Sequence, residues 1–185
     1  MIPIEERKEY YETGELKSVG SFSGPYPVGV HIKYYKNGNI ARRERFVKGY
    51  RQGLLERFHS NGLPFEICWV NGNIREGLYK VYHPNGMIAA MVFFEKGQQI
   101  GEACSFHENG EIKETIFYVS YETSDGLSRR YKHGQYYECD EAGNIVKQKF
   151  YYNREKAVYY NPFLPEKPAP LPFKSDRNRF VTLEV

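Results

Sequence analysis

The chain has 185 residues, of which 26 are Lys or Arg and 23 are Asp or Glu, and the formal charge of +3 is too near balance to mark a nucleic-acid binder or a membrane binder. With 41% apolar residues it can build a core, which sets it apart from natively disordered chains. No run of about 18 apolar residues occurs, and Met1 to Glu9 holds no apolar stretch followed by a small-residue cleavage site, so a cytoplasmic protein is the expectation. Cys68, Cys104 and Cys139 are odd in number, fit neither a disulfide framework nor a zinc knuckle, and read as reduced thiols. The unusual feature is aromatic content: 17 Tyr and 12 Phe accompany a single Trp, and Leu-rich helical stretches are missing.

Along the chain, glycines recur every 24 residues at Gly14, Gly38, Gly62, Gly86 and Gly110. Their contexts run Tyr10-Tyr11-Glu12-Thr13-Gly14, Tyr34-Tyr35-Lys36-Asn37-Gly38, Phe58-His59-Ser60-Asn61-Gly62, Tyr82-His83-Pro84-Asn85-Gly86 and Phe106-His107-Glu108-Asn109-Gly110. A second series, Gly29, Gly53, Gly77 and Gly101, precedes each later member by nine residues, and Gly134 with Gly143 keeps that offset, which makes a sixth copy. The wider step from Gly110 to Gly143 implies an insertion, placed within Ser120 to His133 as the one irregular loop.

Segments between glycines are too short for helices and rich in Tyr, Phe, Ile and Val, so each copy reads as two strands. Pro84 suits the first central position of a type I turn, and Gly86 then closes a three-residue hairpin with a bulge in the left-handed conformation. That register sets Tyr10 against Leu16, Tyr34 against Ile40, Phe58 against Pro64, Tyr82 against Ile88 and Phe106 against Ile112, a repeated aromatic–aliphatic pairing. Polar connections are expected at Lys48 to Gly53 and Lys96 to Gly101. The predicted fold is all-β, a single-layer antiparallel meander of about 11 or 12 strands, twisted or curled. Residues 1–152 form the repeat domain, and 153–185 an extended tail, Pro-rich from Tyr160 onward.

The spacing, two aromatics or aromatic-His, then x-Asn-Gly-x-Ile, a variable strand and Gly-x-x-x-Gly, resembles the MORN-repeat variant of bacterial YwqK-like proteins over residues 10 to 152. The copies depart from that pattern at Thr13, at Leu63-Pro64 and at Cys139 to Gly143, where the leading aromatic is lost. The resemblance implies an extended β-sheet used as an interaction surface, and an antitoxin that neutralises a partner toxin by covering it. From the residues, which show no carrier for catalysis, neither enzyme activity nor a cofactor is expected.

The residues themselves offer little chemistry. No GxSxG, Walker, GxGxxG-before-helix or HExxH signal is present. His59, His83 and His107 recur at the repeat period, which puts them two strands apart, about 9.6 Å at 4.8 Å per strand, too far to share one metal ion. They read instead as aromatics flanking the turns, in the slot of Tyr11 and Tyr35; His31 and His133 have neither equivalents nor evident partners. The basic block of Arg42, Arg43, Arg45, Lys48, Arg51 and Arg57 is either a solvated edge or a landing site for an acidic protein surface or phosphate-rich ligand. Strand alternation sends Arg42 to one face and Arg43 with Arg45 to the other. Phe65, Ile67 and Trp69 oppose Cys68 and Val70, while Met91 with Phe93 oppose Val92 with Phe94, so both faces of the central strands are apolar and one needs a cover. The candidate interaction surface is therefore Arg42, Arg43, Arg45, Arg51, Arg57, Trp69 and Phe93, with the tail as cover or partner ligand. The partner expected is another protein, with acidic lipid as the alternative.

Overall fold

The computed structural model describes residues 2–122 and 128–151. These form twelve strands: β1 (Ile4–Tyr10), β2 (Leu16–Ser23), β3 (Tyr26–Tyr34), β4 (Ile40–Val47), β5 (Tyr50–Phe58), β6 (Pro64–Asn71), β7 (Ile74–Tyr82), β8 (Ile88–Glu95), β9 (Gln98–Phe106), β10 (Ile112–Glu122), β11 (Ser128–Cys139) and β12 (Ile145–Tyr151). They lie in one sheet in chain order, each antiparallel to the next, with β1 and β12 at its two edges. No helix occurs among the described residues.

The repeated turn follows from one backbone geometry. Pro84 holds φ near −65° and Asn85 follows it, after which only a residue at ease with φ > 0 closes the bulge, and Gly86 has φ of 85°. The Gly86 N–H donates to the His83 carbonyl at 2.8 Å, and the His83 N–H donates to the Met87 carbonyl at 2.8 Å. The same bond pair recurs at Tyr11, Tyr35, His59, His107 and Asp140. The aromatic–aliphatic register expected from the sequence is present at all five positions, with Cys139 opposite Ile145 as a sixth.

Two expectations are corrected. The connections between copies are not six-residue loops: Lys48-Gly49, Gly72-Asn73 and Lys96-Gly97 turn in two residues with φ > 0 at both, the type I′ pattern that matches strand twist. The second glycine series therefore sits inside strands, where two extra residues bulge against the partner. Arg51 to Glu56, for instance, spans the same stretch of ladder as Arg43 to Phe46. The insertion is likewise not a loop over Ser120 to His133, because β10 continues to Glu122 and β11 starts at Ser128, paired through Val119–Tyr131 and Ser120–Arg130. Alternating aromatic and β-branched residues favour strand there. The tail from Asn153 lies outside the described residues.

Candidate functional site

Strand alternation and register divide the side chains into two faces. The arginine face carries Arg42, Glu44 and Phe46 from β4, Arg51, Leu55 and Arg57 from β5, Glu66, Cys68 and Val70 from β6, and Arg75 and Tyr79 from β7. The tryptophan face carries Arg43, Arg45, Leu54, Trp69, Leu78 and Phe93. The predicted interaction residues are thus not one surface: Arg42, Arg51 and Arg57 lie on one side, Arg43, Arg45, Trp69 and Phe93 on the other.

On the arginine face the basic residues are largely neutralised. Glu44, buried, accepts from Arg42 Nη2 at 2.7 Å and from Arg51 Nε at 2.6 Å. Glu66, also buried, pairs with Arg57 at 3.0 Å and Arg75 at 3.3 Å. Two carboxylates thus each bridge two guanidiniums, the arrangement a buried charge requires. Beside them Leu55, Cys68 and Val70, with Tyr79 packed on, form the apolar core, and Arg75 stacks over the Tyr79 and Phe94 rings. Apart from Arg42 Nε, which is buried without a hydrogen-bond partner, the charged groups of this face are paired over its middle strands.

The tryptophan face differs. Leu54 is directly opposite Trp69, Leu78 directly opposite Phe93, and Phe93 opposite Ile100. Trp69 is 54% exposed, Leu54 46% and Phe93 40%, while Leu78 and Phe117 also stand open. Arg43 is held by Glu56 at 3.1 Å, and Arg45 is exposed on the same side. An open apolar band with arginine at its border has the composition of a protein interface core and rim.

The recurring histidines occupy structural slots. His59, His83 and His107 each place Nε2 within 3.0 Å of a carbonyl in the next copy, those of Tyr82, Phe106 and Cys139. A carbonyl only accepts, so Nε2 carries the proton in each. Tyr11 and Tyr35 do the same with their hydroxyls, donating to the carbonyls of Tyr34 and Phe58. A second ladder was not anticipated: Asn37, Asn61, Asn85 and Asn109 each donate from Nδ2 to a carbonyl in the next turn and accept a local N–H on Oδ1. The signal for it was the in-phase recurrence of Asn, which φ preference alone did not require. His31 does have partners: its Nε2 meets the Ser21 carbonyl at 2.8 Å, its ring sits edge-on to Phe22 and Phe46, and a Cβ at Gly20 would overlap it. His133 Nδ1 is buried without one.

The cysteines are free and buried. Burial pushes the Cys104 thiol up to about 12 and raises Cys68 and Cys139 as well, the reverse of what activates a nucleophilic thiolate.

No curated protein matches the chain. The model of the MORN repeat variant matches residues 6–23, 27–48, 75–96 and 99–120. These stretches coincide with the hairpins β1–β2, β3–β4, β7–β8 and β9–β10. The hairpins β5–β6 and β11–β12, outside those matches, keep the same turn and register. The repeat of this chain is therefore one β-hairpin, and four of the described hairpins match the MORN repeat variant.

Proposed function

We propose that the chain is a non-catalytic protein-binding module that docks a partner on its tryptophan face. Repeats of this variant commonly serve as protein-binding or membrane-binding modules and are generally not catalytic. The observation that carries the protein-binding reading is the exposed pairing of Leu54 with Trp69 and Leu78 with Phe93. An exposed Trp, a further exposed aromatic on the same face and a bordering Arg are the residue types from which binding hot spots are drawn. Lipid docking through the basic block as one continuous patch is weakened as a rival, because Glu44 and Glu66 already engage Arg51, Arg57 and Arg75 and hold one end of the Arg42 guanidinium.

The finer reading is an antitoxin acting in a bacterial cytoplasm, with the occluding surface on this face, a repeat domain over residues 1–152 and a tail over 153–185 acting as cover or partner ligand. Its test is co-expression with the product of an adjacent gene that is toxic alone. Rescue of growth by the wild-type chain, lost in Trp69→Ala with Phe93→Ala, supports it. An adjacent product that is harmless, or rescue undiminished in the double variant, removes the antitoxin reading. The broader binding role is tested separately by the fluorescence of Trp69.

A further inference from the structure

The register across β1 to β6 aligns one row on the arginine face: Glu9, Ser18, Lys33, Arg42, Arg57 and Glu66, each opposite the next. Lys33, Arg42 and Arg57 are three cations in succession. Like charges directly opposed on neighbouring strands destabilise a sheet, so this row runs against the folding interest of the chain. Arg57 is answered by Glu66 and Arg42 by Glu44. Lys33, exposed, has no counter-ion within ion-pair distance among the described residues.

A hollow of about 510 Å³ opens beside this row. Its charged lining is Arg7, Lys33, Arg42 and Arg51 against Glu9 and Glu44, four positive charges to two negative. Glu5, outside the lining, pairs with Arg7 at 3.5 Å, so the surplus is one; Glu44 is shared by Arg42 and Arg51, while Glu9 accepts the Ser18 hydroxyl at 3.0 Å. The Nε of Arg42 is buried and has no hydrogen-bond partner. Burial lowers the pKa of that guanidinium; the attraction of Glu44 opposes this, and the charges of Arg51 and Arg57 add to it. A buried guanidinium nitrogen without a partner, an unanswered ammonium and a surplus positive charge at one hollow call for an anion with several oxygens. Phe22 and Phe46 give the same hollow an apolar wall.

We propose that this hollow binds a phosphate monoester, with its dianionic phosphate between Lys33 and Arg42 and its organic part against Phe22 and Phe46. A phosphate dianion is drawn by the surplus positive charge, and guanidinium donors suit its oxygens. The volume falls within the range of small-ligand sites, roughly 300 to 1,000 Å³, which leaves room beyond the phosphate. The site is separate from the tryptophan face and stands whether or not that face binds a protein.

The test is calorimetric titration of the full chain with phenyl phosphate at constant ionic strength. Saturable binding is expected, weakened at least tenfold in Lys33→Gln and unchanged in Arg45→Gln on the opposite face. Because Lys33 has no ion-pair partner among the described residues, Lys33→Gln should melt no lower than wild type, so a folding defect does not mimic the result. Vesicles of phosphatidylcholine with phosphatidic acid form a second arm. Vesicle binding displaced by phenyl phosphate identifies a lipid headgroup as the source of the monoester; phenyl phosphate binding without vesicle binding identifies a free one. No saturable binding of phenyl phosphate, or equal affinity in Lys33→Gln and Arg45→Gln, overturns the proposal.

Discussion

Replacing Gly86 separates backbone conformation from steric room as the cause of the glycine period. At φ of 85° the residue is in the left-handed region, while an added Cβ would meet only the Leu63 side chain, Cδ1 at 3.5 Å and Cδ2 at 3.9 Å, both ordinary contacts. Space is therefore not limiting, and the cost of substitution is conformational. For Val, stiff and β-branched, that cost is about 3 kcal/mol, the upper end for a non-glycine residue in this region. Asn, which visits the region readily, should cost less than about 1 kcal/mol. For a sheet of this size each kcal/mol lowers the melting temperature by roughly 2–4 °C, so Gly86→Val should melt about 6–12 °C lower and Gly86→Asn only a few degrees lower. Urea and thermal melts by circular dichroism read the totals. Hydrogen exchange at the His83 and Gly86 amides shows whether the loss sits in the turn, where both N–H groups are bonded. Val and Asn variants equally destabilised, or Val indistinguishable from wild type, would refute the bulged-turn account.

Two further outcomes follow from the charged and buried groups. Glu44→Gln leaves Arg42, with its side chain 20% exposed, without its counter-ion, and should cost about 2–3 kcal/mol, below the 3–5 expected for a fully buried pair because Arg51 keeps solvent contact; chemical denaturation of Glu44→Gln against Glu56→Gln, whose Arg43 partner is more exposed, measures it. Stability should also decline in alkali. Burial lifts the Cys104 thiol from 9.0 to about 12, and burial first, then the negative charge of Glu114, lifts the Tyr136 hydroxyl from 10.0 to about 12. The fold thus favours the protonated forms, and their contribution is complete below the unfolded values and lost as pH rises through the folded ones. Urea midpoints should fall from about pH 9 upward, less steeply in Cys104→Ala; a slope identical to wild type in that variant counts against a buried, protonated thiol.

How much was legible in the chain depended on the range of the interaction. Turn register was readable because Tyr82 and Ile88 are six residues apart and Pro84 with Gly86 fixes the dihedrals between them. The separation of Arg42 from Arg43 and Arg45 was readable too, since it needs only alternation along one strand. The neutralisation of Arg51 by Glu44 was not, because it depends on the two-residue turn Lys48-Gly49 and on the bulge at Gly53, which together set how β5 lies on β4. For the same reason the row Lys33, Arg42, Arg57 is invisible in sequence: its members meet only through two registers, both of them bulged. The length of the insertion does not distinguish loop from strand, whereas the aromatic and β-branched chemistry of Tyr118, Val119, Tyr121 and Tyr131 suits strands. His59 and Asn61 were readable as turn residues but not as donors to the next copy, since each acceptor lies 23 residues ahead.

The central claim, that partners dock on the tryptophan face, can be read from the only tryptophan in the chain. Trp69 is more than half exposed, so the free protein should emit with a water-exposed maximum and be readily quenched by acrylamide. Titration with a binding partner should shift the emission to the blue, protect it from quenching, and lose at least 2 kcal/mol of affinity, about 30-fold, in Trp69→Ala with no change in melting temperature. A partner that binds stoichiometrically while Trp69 stays equally red and equally quenchable would place the interface elsewhere and contradict the account.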